Sequence, residues 1–337
     1  MLPFLLIVII YSVKMYQMKA IRVKQFGNPQ VLQIQEIADP QPGAQEVIVQ
    51  IKAAGVNPVE TYIRSGEYAK LPALPWTPGT DGAGDVIAIG DEVTKWKVGD
   101  RVYTTGSVSG TYAELARCHQ DQLQPLPANI DYTEGACLGV PYATAQHALF
   151  DKAKAQKRET VLVHGASGSV GLAAVQLAKA AGLKVIGTAS TAEGANLIEA
   201  QGADHVFNHH HPDYRQEILG TNCGRGVDII LEMRADVNLG HDLRLLAMSG
   251  RVVIIGSRGE VEINPRDAMA RDAVIYGMLL FNANEEERKS TFAALNAGLE
   301  NGTLKPVVRE TLPLAEAAKA HEIVMQSGAA GNIILQP

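Results

Sequence analysis

The chain has 337 residues, of which 46% are hydrophobic, 20% charged and 5% aromatic. That length suits two domains, and the balance excludes a disordered, collagen-like or disulfide-scaffold protein. Thirty Lys and Arg against 36 Asp and Glu leave a formal charge of −6, which offers nucleic acid or an anionic membrane no overall electrostatic footprint.

In chain order, the apolar run Leu2–Val13 is too short to cross a bilayer, which takes ~20 residues. It also lacks the basic segment before it and the small-residue cleavage site after it that a secretory signal carries. Residues 1–17 therefore read as an extension ahead of a domain beginning at Met18. From Met18 to about Pro127, short β-branched runs at Lys19–Lys24, Glu46–Lys52, Asp85–Ile89 and Arg101–Thr104 are separated by Gly and Pro clusters, as in a compact barrel-like β domain.

From about Tyr142 the rhythm becomes strand, helix, strand. Strands are expected at Thr160–His164, Lys184–Thr188, His205–Phe207, Val227–Leu231, Arg251–Ile255 and Val274–Leu280, and helices at Val170–Ala181 and through Leu197–Ala200. Continuous apolar strands between amphipathic helices predict a doubly wound parallel sheet covered on both faces, an α/β architecture of the Rossmann kind. After Phe281 come a charged helix, Glu285–Glu300, the short run Leu304–Pro306, a helix around Ala315–Gln326 and a last strand Asn332–Leu335. The reading divides the chain into 1–17, a β domain 18–141, a dinucleotide domain 142–281 and a C-terminal return 282–337.

Between the first parallel strand and its helix lies Gly165-Ala166-Ser167-Gly168-Ser169-Val170-Gly171. Gly168 and Gly171 occupy the last two positions of the G-x-G-x-x-G fingerprint, with Ala166 in place of the first glycine. Gly168 would let backbone approach a pyrophosphate, Gly171 would let the helix pack closely on the strand, and the helix N-terminus supplies free N–H donors. At the end of the second strand, where an NAD site places a carboxylate on the ribose, Gly187-Thr188-Ala189-Ser190-Thr191 carries no acid before Glu193. A 2′-phosphate would meet no repulsion there, which favours NADPH, with His209 and Arg258 as candidate partners for it. His209-His210-His211 also reads as a solvated loop.

No zinc is expected, since the nine histidines and three cysteines fall into no metal-ligand spacing. Cys118, Cys137 and Cys223 share no C-x-x-C either, which fits free thiols in a reducing, cytoplasmic compartment.

The order of β-barrel, Rossmann unit and short return resembles the medium-chain dehydrogenases/reductases, and within them the zinc-free quinone oxidoreductases of the zeta-crystallin type. The residues that carry this are Ala54-Gly55-Val56-Asn57-Pro58-Val59-Glu60-Thr61-Tyr62-Ile63-Arg64-Ser65-Gly66, Thr77-Pro78-Gly79-Thr80-Asp81 and Val161-Leu162-Val163-His164-Gly165-Ala166-Ser167-Gly168. Val206-Phe207-Asn208-His209, Gly256-Ser257-Arg258-Gly259 and Glu262-Ile263-Asn264-Pro265-Arg266-Asp267 carry it further. The resemblance implies a GroES-like catalytic domain beside the Rossmann domain. Asn57 stands where the zinc alcohol dehydrogenases have their first zinc cysteine, and Thr80-Asp81 replaces their His-Glu, so the Lewis acid is gone.

By resemblance, Tyr62 lies near the nicotinamide, and Ser167, Gly168, Ser169 and Val170 lie at the pyrophosphate. Ser190 and His209 flank the adenosine ribose. Asn238, the strand end Ile255-Gly256-Ser257-Arg258 and Met278-Leu279-Leu280 line the rest of the cofactor. Ser190 replaces the glycine of the zeta-crystallin type, and Asn332 stands where many relatives carry lysine. Asn57 and Tyr62 are the candidates for positioning the acceptor; the alternative is that Asn57 holds the turn before Pro58 and Tyr62 packs on the cofactor ring.

The implied function is reduction of a small-molecule quinone by NADPH in a homo-oligomer, a tetramer, whose interface uses the edge at Val274–Leu280. Alternatives are NADPH-dependent reduction of an enone or alkenal double bond, binding of single-stranded AU-rich RNA, against which the net charge weighs, and a bulk structural role in the lens.

Overall fold

The structure, a computed structural model, describes residues 17–328 and 330–337. The apolar run Leu2–Val13 lies outside them. Among the described residues no helix is long and apolar enough to cross a membrane.

The first strands are β1 (Gln17–Arg22) and β2 (Gln33–Ala38), an antiparallel ribbon. The long β3 (Glu46–Val56) precedes helix α1 (Pro58–Ser65), and β4 (Gly82–Ile89), β5 (Arg101–Thr104), β6 (Leu115–His119) and β7 (Leu123–Pro125) follow. On β3 the alternating Val47, Val49 and Ile51 point into one core with Val102, Ala116, Cys118 and Leu123, as the two-residue period of a strand requires. Two short helices, α2 (Tyr132–Gly135) and α3 (Gly139–Gln146), lead out of this region.

The parallel part runs β8 (Thr160–Val163), α4 (Ser169–Ala180), β9 (Lys184–Ala189), α5 (Ala192–Ala200), β10 (His205–Asn208), α6 (Tyr214–Gly220), β11 (Val227–Glu232), α7 (Ala235–Leu245), β12 (Leu246–Ile254), α8 (Pro265–Met269) and β13 (Val274–Gly277). The strand order is β10-β9-β8-β11-β12-β13, every pairing parallel. Each central strand feeds both faces. Val161 and Val163 enter one core and Leu162 the other; Ile229 and Leu231 enter the first and Ile230 the second. That division explains the apolar runs, because a strand covered by helices on both sides has little solvent-facing surface, and its polar residues gather near the strand ends, as Asp228 and Glu232 do on β11.

The chain ends with α9 (Glu285–Glu300), β14 (Val308–Pro313), α10 (Ala317–Ile323) and β15 (Asn332–Gln336). Strand β15 pairs antiparallel with β3 and parallel with β14, so the C-terminal segment completes the sheet ordered β14-β15-β3-β4-β5-β7, with β6 also on β3.

Several elements differ from the sequence expectations. The first strand begins at Gln17, one residue before the expected domain start. Helix α1 and strands β2, β6, β7 and β14 were not anticipated. The expected run Leu304–Pro306 is not a strand, and pairing begins at Val308, opposite Asn332. The strand Val274–Leu280 stops at Gly277, and Leu280–Asn282 forms a 3-10 turn into α9. The helix around Ala315–Gln326 is a 3-10 turn at Leu314–Glu316 followed by α10.

Candidate functional site

All six parallel strands end on the same edge of their sheet, and the order reverses between β8 and β11, the place where an open α/β sheet leaves a crevice outside its strand ends. Ser167–Val170 follow β8, Ser190 follows β9 and His209 follows β10. Asn238 stands on α7 beyond β11, Ile255–Arg258 follow β12, and Met278–Leu280 follow β13. Thus every Rossmann residue singled out from sequence falls on the carboxyl edge.

The turn itself is held from behind. Gly165 has φ +58°, a left-handed conformation that glycine adopts freely. Its N–H donates to Thr188 Oγ1 at 3.1 Å, and the Ala166 N–H donates to the Thr188 carbonyl at 3.0 Å. A Cβ on Gly171 would lie 2.6 Å from both Ala166 Cα and the Gly165 carbonyl, so the helix can approach the turn only without a side chain there. Gly168 differs. It has φ −75°, and a Cβ there would meet nothing closer than 3.5 Å, so neither conformation nor packing demands glycine and the space in front of it is free. With the first N–H groups of the twelve-residue α4 lacking intrahelical acceptors, this cradle fits a pyrophosphate.

A second segment closes on the cradle. Gly331 N–H donates to the Ser167 carbonyl at 2.9 Å, Ser169 Oγ donates to the Gly331 carbonyl at 3.4 Å, and Gly328 lies beside Ser190 and Thr191. Neither this segment nor Thr188 was singled out from the sequence, since their only signals are a glycine pair and a threonine at a strand end. Asn332, at the lysine position of many relatives, donates its side-chain amide to the Val307 carbonyl at 3.0 Å.

His209 is exposed, and its N–H donates to the Ala189 carbonyl at 3.1 Å. Partial burial, reinforced by His210 and His164, holds its imidazole below the ordinary histidine value. Arg258 is exposed and donates its backbone N–H to Asp236 Oδ1 at 3.0 Å.

On the β side, α1 carries Tyr62, half-buried, and is capped by Asn57. Pro58 at the first helical position and Gly66 in the left-handed conformation at the end define it. Asn57 is 4% exposed and its Nδ2 donates to Asp81 Oδ2 at 2.9 Å. The Asp81 carboxyl also accepts the Val140 N–H, Oδ1 at 2.8 Å, tying the start of α3 to the barrel. The side chains of Asn57 and Asp81 are thus engaged with one another and with the start of α3.

Glu60, 1% exposed, accepts the Thr80 N–H, the Asn57 N–H and the Tyr112 hydroxyl. Burial pushes it up to about 7 against those hydrogen bonds. It lines a cavity of about 920 Å³ whose walls include Trp76, Thr80, Val140, Leu280 and Phe292. Arg234, which opens α7, is bound in a fork to Asp236 at 3.1 and 2.9 Å. It too escaped the sequence reading.

The comparisons with known proteins agree with this geometry. Residues 43–128 match the alcohol dehydrogenase GroES-like domain and residues 169–296 the zinc-binding dehydrogenase family. A quinone oxidoreductase of Rattus norvegicus is 49% identical over 320 residues, covering 94% of this chain and 97% of the relative. This chain belongs to the quinone oxidoreductase family of medium-chain dehydrogenases/reductases. Among solved structures, a quinone oxidoreductase of Pseudomonas syringae pv. Tomato DC3000 superposes with a TM-score of 0.85 at 32% identity, over 95% of this chain and 100% of the other. A mycobacterial protein solved in complex with NADPH superposes with a TM-score of 0.87 at 30% identity over the same shares. Family membership brings a nicotinamide cofactor site.

Proposed function

We propose that this chain reduces quinones with NADPH, taking the cofactor along the carboxyl edge of the parallel sheet and the acceptor in the neighbouring cavity. The observation that carries the reading is the free space in front of Gly168 at a helix N-terminus, and Leu280 of the cofactor array also lines the large cavity. Residues 142–281 form the cofactor unit in this reading, and 18–141 with the return 282–337 the acceptor unit; the pairing of β15 with β3 supports that grouping.

Bound there, the nicotinamide supplies the reducing electrons. Ser167, Gly168, Ser169 and Val170 surround the pyrophosphate, which accepts from the free N–H groups at the start of α4, and Ser190 and His209 flank the adenosine ribose. Asn238, Ile255–Arg258 and Met278–Leu280 line the remainder. Tyr62 positions the nicotinamide end and the acceptor, while Asn57 acts at one remove by fixing the start of α1 through Asp81. The cavity walls mix apolar side chains such as Trp76, Val140, Leu280 and Phe292 with polar ones such as Glu60, Thr80 and Gln124, which suits an acceptor whose reduction is driven by aromatisation and needs little polarisation.

NADPH is preferred because no carboxylate faces the ribose before Glu193 and the Ser190 hydroxyl can donate. A fluorescence titration is expected to show tighter binding of NADPH than of NADH. Ser190→Asp should reverse that order, by on the order of tenfold for each 1.4 kcal/mol of repulsion. Equal affinities in the parent chain would refute the assignment. For Tyr62→Phe we expect a several-fold fall in kcat/KM for an ortho-quinone; unchanged kinetics and unchanged NADPH affinity would remove the hydroxyl from the mechanism.

The exposed edge supports a homo-oligomer. On β13, Val274 and Tyr276 are 41% and 36% exposed, and Leu279 beyond it is 44% exposed. An apolar strand edge of this kind is commonly covered by another chain.

A further inference from the structure

Behind the glycine-rich turn the sheet buries three ionisable side chains that the proposed reaction does not use. His164 follows β8, Glu232 ends β11 and Asp242 lies on α7, with exposures of 3%, 0% and 1%. One nitrogen or oxygen atom of each lies within 4.8 Å of the others, the only such grouping of metal-ligand side-chain types among the described residues. Sequence spacing could not show it, because the members come from separate elements.

The hydrogen bonds constrain its protons. His164 Nε2 is 2.9 Å from Asp242 Oδ1 and 3.6 Å from Glu232 Oε2. Glu232 Oε1 accepts the Arg234 N–H and, at 3.2 Å, Asn238 Nδ2. Each carboxyl then retains one buried oxygen with no donor, Glu232 Oε2 and Asp242 Oδ2. An oxygen of each carboxyl lies within 4.8 Å of one on the other, and Asp242 is among the influences that raise Glu232. A single proton between the two orphaned oxygens satisfies both. Without it, two carboxylates against one imidazolium leave a net negative charge in a dry site, and burying an uncompensated charge costs several kcal/mol. A cation would need the His164 nitrogen that is already engaged with Asp242.

We propose that Glu232 is a neutral carboxyl sharing its proton with Asp242, and that this pair, balanced by the His164 imidazolium, is the positioning device that aims Asn238 at the cofactor. Because Glu232 Oε1 only accepts, the Asn238 amide turns its NH₂ inward and presents Oδ1 to the crevice. The cofactor group it meets is therefore a donor, an amide NH₂ or a ribose hydroxyl. On the other side, His164 Nδ1 lies 3.5 Å from Thr188 Oγ1, which accepts the Gly165 N–H, so the cluster also backs the phosphate turn.

Burial raises Glu232 to about 8, with Asp242 adding to it and His164 opposing. Burial opposes a charge on His164, yet Asp242 and Glu232 outweigh it and hold the imidazole at about 9. The other charged and titratable groups facing the cluster are Tyr214 and Arg215 on α6, Arg234 and His241 beside and on α7, and His209 after β10. As pH rises through 8 the shared proton leaves and an anion appears beneath the pyrophosphate.

This inference rests on the cofactor reading, and its test has two readouts. Parent chain and Glu232→Gln, whose amide can donate to Asp242 Oδ2 as the proton does, are compared by infrared spectroscopy and by NADPH titration from pH 6 to 9. The expected result is a protonated-carboxyl C=O band, shifted in D₂O, that Glu232→Gln removes. The parent's affinity should weaken on the order of tenfold above pH 8, as one pKa unit of coupling gives. Glu232→Gln should bind with parental affinity at pH 7 and stay flat with pH. Glu232→Ala, which cannot hold Asn238, should bind about tenfold more weakly throughout. The proposal is overturned if no band is lost, if folded Glu232→Gln binds tenfold more weakly at pH 7, or if the parent's affinity is flat to pH 9. Loss of the infrared band without NADPH binding by either protein would leave the shared proton standing and sink the cofactor reading instead.

Discussion

Gly171→Ala is expected to weaken NADPH binding by at least tenfold, a loss of about 1.4 kcal/mol, whereas Gly168→Ala should weaken it comparably without touching stability. The two glycines sit three residues apart and are needed for different reasons. At Gly171 an added methyl meets backbone, Ala166 Cα and the Gly165 carbonyl both at 2.6 Å. Backbone cannot rotate away as a side chain can. Helix α4 must therefore shift outward, carrying the Ser169 and Val170 amides with it, and overpacking of this kind costs about 1–3 kcal/mol. At Gly168 the methyl projects into space where the nearest atom is 3.5 Å away, and the backbone conformation suits any residue. Only a ligand would collide with it. Thermal unfolding measured beside NADPH titration separates the cases: Gly171→Ala should lose both stability and affinity, and Gly168→Ala affinity alone. Full NADPH affinity in a folded Gly168→Ala protein would remove the pyrophosphate from this turn.

Asp81→Ala should destabilise the fold by about 2–6 kcal/mol, since it orphans one buried and one part-buried donor at about 1–3 kcal/mol each. These are Asn57 Nδ2 and the Val140 N–H. The side chain joins the cap of α1 to the start of α3, which packs against α4, so the loss spans the route from barrel to cofactor turn. Burial lifts the Asp81 carboxyl well above its ordinary range, with Glu60 adding to the rise and the Asn57 and Val140 hydrogen bonds opposing it. Such a raised group contributes stability that is fully present below its unfolded pKa, near 3.8, and is lost as pH rises through the folded value. Accordingly the gap between parent and Asp81→Ala in denaturant should be widest below about pH 3.8 and narrow as pH rises through the folded value. A gap below 1 kcal/mol at every pH would show that water or a rearranged neighbour replaces the carboxyl.

Glu232 and Asn238 illustrate how much of the site a linear reading reaches. The resemblance places Asn238 at the cofactor, but the proton proposed to orient it depends on Glu232 at the end of β11 and His164 after β8 as well as on Asp242 of its own helix. Linear spacing has no term for such a meeting. Helix α1 is a different matter: Asn57, Pro58 and Glu60 at its start and Gly66 at its end are a complete set of start and stop signals within one turn of the matching motif. Those signals are legible in the sequence, although the surrounding β-branched runs suggest a region of strands alone.

The sequence by itself determined the parallel sheet and its glycine-rich turn, because strands buried on both faces are predominantly apolar and a helix pressed against a turn needs glycine at the point of contact. Those demands are local and are written in consecutive residues. The tertiary structure alone decided the membership of β14 and β15 in the first sheet, the closure of Gly331 onto Ser167 and the buried cluster behind the turn. Each depends on pairing between residues tens to hundreds of positions apart. There the energy comes from hydrogen bonds and charges satisfied across elements, and no stretch of chain read alone carries that information.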